Sequence, residues 1–95
     1  MSMENFLSFL QQLLTMVEPK NKSSVALAKT ALKAVSELIQ ASGKGDPLVL
    51  RAIFITERNF DYFVEHKQDF AGIPGAHHTN YMKRKRLEHM INPGC

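Results

Sequence analysis

Cysteine is nearly missing from this chain. The single thiol, Cys95, is the last residue. No intramolecular disulfide can form, so a reducing, intracellular compartment is the expectation. Long apolar runs are missing too. The longest, FLSFLQQLLTMV, is interrupted by Ser8, Gln11 and Gln12 and falls well short of the ~20 residues that cross a bilayer. The opening MSMENF has no cationic stretch and carries Glu4, so a signal peptide is not expected. No tract is low in complexity or repeats at a fixed period.

Carboxylates are scarce at one end. Residues 1–70 hold eight Lys/Arg and eight Asp/Glu, which cancel. Residues 71–95 hold Lys83, Arg84, Lys85 and Arg86 against Glu88 alone, so the net charge of +3 lies entirely there. Attraction for anions is therefore expected at the C-terminal segment.

What remains is ordinary globular material. The 95 residues are 44% hydrophobic and 22% charged, values of a single folded domain with one modest core. Breakers cut the chain into four segments: Pro19 with residues 20–24, GKGDP at 43–47, AGIPG at 71–75, and Pro93–Gly94.

The first segment separates completely on a helical wheel. Met3, Phe6, Leu7, Phe9, Leu10, Leu13, Leu14, Met16 and Val17 share one half, and Ser2 suits the N-cap. In the second, Val25, Ala28, Ala31, Leu32, Val35, Leu38 and Ile39 share a face; Ser23 or Ser24 suits the cap and Gly43 the far end. The third opens with Asp46-Pro47, a helical start. Its run LVLRAIFI would also suit a buried strand, but Val49, Ala52, Ile53, Thr56, Phe60, Phe63 and Val64 keep a helical stripe over the whole length. A second stripe, Leu48, Ile55 and Tyr62, with Phe54 nearby, lies elsewhere on that wheel. It makes helix three either a central helix packed from both sides or the carrier of a partner-binding surface.

The fourth segment, GIPGAHHTNYMKRKRLEHM, fails the amphipathic test. Lys83 to Arg86 spread over ~300° of a helical wheel, so no face is free of charge. Laying it on a core would bury a cation, which is costly. It is expected to project outside the packed interior.

Chemistry-bearing patterns are thin. His77 and His78 are adjacent, without the spacing of a zinc pair; a site at His77, His89 and Cys95 is the weak metal candidate. Asp61 and Glu65 are one turn apart on a polar face and read as solvated. Gly43-Lys44-Gly45 lacks phosphate-loop spacing. Catalysis, a cofactor and a metal are not expected. The KRKR run suits phosphate contact or a nuclear localisation patch, with Tyr81 alone beside it for stacking.

The sequence therefore predicts an all-α domain. A three-helix antiparallel bundle occupies residues 1–70, with helices near 3–18, 24–42 and 47–69. A Gly/Pro linker and basic C-terminal segment, a short fourth helix or tail, occupies 71–95. The predicted function is a small protein–protein interaction or regulatory module, self-associating through apolar helix faces. Leu48, Ile55 and Tyr62 are the hydrophobic partner contacts, with no membrane partner. The alternative is nucleic-acid binding with Lys83, Arg84, Lys85 and Arg86 as a phosphate grip.

Overall fold

The computed structural model describes residues 1–92. Within them every regular element is a helix: α1 Met3–Met16, α2 Lys22–Ser42, α3 Pro47–Arg58, α4 Phe60–Glu65, α5 Lys67–Phe70 and α6 His77–Ile91. No strand occurs among the described residues. The all-α class holds, and LVLRAIFI is helical.

Local chemistry sets the starts and stops. Ser2 Oγ accepts the Asn5 N–H at 3.1 Å and begins α1. Asn21, rather than either serine, caps α2, its Oδ1 accepting from the Ser23 and Ser24 amides. Ser24 instead ties α2 back to Glu18, donating to its carbonyl and accepting its N–H. Gly43 ends α2 with φ 69°, a left-handed conformation that glycine adopts without steric cost. Asp46 Oδ1 accepts from Leu48 N and Pro47 opens α3.

The third predicted helix, 47–69, is broken into α3, α4 and α5 at Asn59 and His66. Both leave helical dihedrals, at φ −110° ψ 19° and φ −107° ψ 28°. At each break a polar side chain returns to the carbonyl four residues back. Asn59 Nδ2 donates to Ile55 O at 2.9 Å. His66 Nδ1 lies 3.0 Å from Tyr62 O, a hydrogen bond when that nitrogen carries the proton. Side-chain competition for backbone acceptors loosens the helical ladder there.

One core runs through all the helices. From α1 it takes Phe6, Leu7, Leu10 and Leu14. Ala28 and Leu32 come from α2, Val49, Ala52 and Ile53 from α3, Phe60, Phe63 and Val64 from α4, and Phe70 from α5. Helix α1 touches α2, α3, α5 and α6. The segment α3–α5 also touches α1, α2 and α6, but it is not packed from both sides: Leu48, Phe54 and Tyr62 remain exposed on its second face.

The expectation of a C-terminal segment outside the interior is corrected. Leu87 and Ile91 are fully buried members of the core. The radius of gyration, 12.7 Å, is close to the ~12 Å of a packed chain of this length and leaves no room for a projecting tail. The reason lies in the face that α6 turns inward: Asn80, Arg84, Leu87 and Ile91, at helical spacing. Its first half is polar and is satisfied by hydrogen bonds; only its second half is apolar. Asn80 clamps the preceding loop, Oδ1 accepting Ile73 N at 2.6 Å and Nδ2 donating to Ile73 O at 2.9 Å. The buried Gln11 of α1 donates to the carbonyls of Phe70 and Asn80. Arg84, with 23% of its side chain exposed, reaches Glu4 at 3.1 Å and Ser8 Oγ at 3.0 Å. Glu4 and Ser8 meet Arg84 while Gln11 meets Asn80, so α6 runs antiparallel to α1. The cation that the sequence places against the core is half-buried, and its desolvation is offset by charge-assisted bonds and partial exposure.

Candidate functional site

Three surfaces remain once the core is accounted for. The first is the outward side of α6. The KRKR run does not act as a block there. Arg84 is turned inward onto Glu4, Lys83 is half-buried, and Lys85 and Arg86 stand in solvent. Lys85 Nζ lies 5.4 Å above the Tyr81 ring, within cation–π range, and 3.7 Å from Glu88. His78, Met82, Lys85 and His89 follow one another at i, i+4, i+7 and i+11, which puts them on one stripe of the helix. All four are exposed. Between α5 and α6 runs an open groove. Phe70, Met82 and Met90 contribute its apolar part, Lys85, Arg86 and His89 its cationic rim, and Asp69 its one carboxylate.

The second surface is on α3 and α4. Leu48 and Tyr62 are exposed, while Ile55 is half-buried against the core. A shallow groove beside Ile55 is lined by Pro47, Leu50, Arg51, Phe54 and Arg58, and neither Leu48 nor Tyr62 reaches it. Tyr62 is instead stacked on His66, with ring centroids 4.2 Å apart.

The third surface is one that the sequence reading missed. Leu27 and Leu38 of α2 are 72% and 71% exposed, and Met16 at the end of α1 is 77% exposed. Met16 and Leu38 belong to the apolar faces predicted from the sequence, yet both stand in solvent. An apolar groove between α1 and α2, lined by Leu13, Met16, Val17, Leu27, Ala28 and Ala31, continues this surface. The stripe is Leu27, Ala31, Ala34 and Leu38, at i, i+4, i+7 and i+11. The signal was present in the sequence: the apolar arc of α2 is too wide for one neighbour. It was hidden because the arc is continuous with the core face.

The weak candidates for chemistry named from the sequence do not come together among the described residues. His77 and His89 are twelve positions apart on one helix, roughly 18 Å along its axis, too far to share an ion; Cys95 lies outside the described residues. Asp61 is exposed and pairs with Lys29 at 3.1 Å rather than with Glu65. No group of three or more metal-ligating side chains gathers among the described residues, and no described helix is long and apolar enough to cross a membrane. Comparison with protein-family models, with curated proteins and with solved structures finds no match.

Proposed function

We propose that this chain is a non-catalytic interaction module that self-associates through α2. The observation carrying this reading is the uncharged, solvent-facing stripe Leu27-Ala31-Ala34-Leu38. Two leucines with nearly three-quarters of their surface in water, aligned on a 21-residue helix, leave apolar area that a monomer gains nothing by exposing. The stripe also reads alike in both directions, with spacings of four, three and four. A two-fold interface must be self-complementary. Antiparallel pairing of α2 with its copy sets alanine against alanine at the centre, where backbones can approach closely, and leucine against leucine at each end.

Light scattering or sedimentation tests this directly. Wild type is expected to be dimeric, and Leu27→Asp/Leu38→Asp to be a folded monomer, since both side chains already face water. Leu48→Asp/Tyr62→Asp supplies the competing face on α3 and α4 and is expected to leave the dimer intact. A wild type that stays monomeric at high concentration ends the proposal. Loss of the dimer only in the second variant moves the interface to Leu48, Ile55 and Tyr62.

The alternative, nucleic-acid binding through Lys83–Arg86, has narrower support. Arg84 is committed to Glu4 and Ser8. The two fully outward cations would give weak binding that salt readily abolishes.

A further inference from the structure

A separate observation concerns the groove between α5 and α6. We infer that it receives an acidic amphipathic α-helix from another protein. This deepens the interaction reading by naming a second kind of partner, and it does not depend on the α2 contact.

Two features select that occupant. The first is the mixed chemistry of the groove. Phe70, Met82 and Met90 present apolar surface, with Met82 and Met90 46% and 39% exposed. A phosphate backbone makes no use of such a floor, whereas the apolar side of a helix does. Methionine suits it further, because its unbranched, polarizable side chain adapts to different guests. Met82 and Met90 are eight positions apart, about 12 Å along α6, close to the span between positions i and i+7 of a guest helix.

The second feature is charge. Lys85 and Arg86 are permanent cations on the outer edge, with His89 beside them. Glutamates flanking the apolar stripe of a guest would meet them. Charge on the rim sets on-rate and choice of partner, while the apolar floor holds the guest. Asp69, on the α5 side, is the one group in the groove that opposes an acidic guest, and it makes no ion pair with the cations facing it. Its removal should therefore improve binding, an effect that a merely structural role would not produce.

The probe is a fluorescein-labelled synthetic peptide of about five helical turns, with leucines at every third or fourth position and glutamates on both flanks. The comparison probes are a scrambled peptide of identical composition and a single-stranded oligonucleotide. Fluorescence anisotropy is read at low and raised salt, with circular dichroism on each variant as a folding control. The patterned peptide is expected to bind about tenfold tighter than its scramble. Lys85→Glu/Arg86→Glu should weaken it by about tenfold or more, and Met82→Asp should weaken it at both salt levels. Asp69→Asn should tighten it by about two- to fivefold at low salt. Leu27→Asp/Leu38→Asp should bind as wild type does, so failure of self-association and failure of this groove are read separately. The inference is overturned by no binding of the patterned peptide, by equal binding of scramble or oligonucleotide, or by binding indifferent to Met82→Asp and Lys85→Glu/Arg86→Glu.

Discussion

Gln11 shows how much one polar side chain can organise. It lies on the polar half of the α1 wheel yet is only 4% exposed. Its Nε2 serves two carbonyls, Phe70 at 3.3 Å and Asn80 at 3.0 Å, while its backbone carbonyl accepts the Thr15 hydroxyl and the Gly72 amide. The side-chain amide thus joins α1 to the end of α5 and the first turn of α6, and the backbone carbonyl adds the loop between them. Replacing Gln11 by leucine keeps the volume but removes the donor that the Phe70 and Asn80 carbonyls share. Gln11→Leu is expected to cost about 1–3 kcal/mol in urea denaturation. Gln12→Leu, at an exposed neighbouring position, should stay within about 0.5 kcal/mol of wild type. Equal effects at the two positions would remove Gln11 from this role.

At the scale of elements, α6 is the informative case. Its inward side begins with Asn80 and Arg84 and ends with Leu87 and Ile91. Leu87→Ala is therefore expected to lose about 2–5 kcal/mol, the range for a buried leucine that leaves a cavity; a loss under 1 kcal/mol would place Leu87 outside the core. The elements whose buried face is uniformly apolar were legible in the sequence. The stripes of α1 and of the third segment identify helices, and Asp46-Pro47 and Gly43 mark ends through local chemistry that needs no tertiary partner. What was not legible depended on distant residues. Whether Arg84 may approach a core depends on Glu4 and Ser8, some eighty and seventy-six positions away, and wheel geometry cannot supply that pairing. The breaks at Asn59 and His66 were hidden for a different reason: the apolar stripe continues across Asn59, and no proline or glycine marks either position. Nor could a wheel divide the broad arc of α2 into a buried part, Ala28 and Leu32, and an open part, Leu27 and Leu38.

For the whole molecule, the consequence of burying Leu87 and Ile91 is that residues 1–70 are expected to need α6 to complete their core. Without α6, Leu87 and Ile91 no longer cover the core, and the carbonyl of Asn80 no longer meets Gln11. A chain truncated after residue 76 is expected to keep much of its helical far-ultraviolet signal while losing cooperative unfolding and binding a hydrophobic dye, the signs of a loosely packed state. A sharp, dye-free transition in the truncated chain would show that the first three predicted helices form a core unaided. The surfaces proposed for partners fit the same division: α2 offers its stripe on the outside of the bundle, and the α5/α6 groove exists only when the last helix is docked.

The pairing of the first helix with the last has a temporal side. Ser8 and Arg84 are 76 positions apart, and translation at roughly 5–20 residues per second puts about 4–15 seconds between their syntheses. Through that interval Phe6, Leu7 and Leu10 have been made but lack their final cover. A growing chain must shelter them by transient collapse or by the grip of a chaperone, so the earliest helix to be made is among the last to be finished.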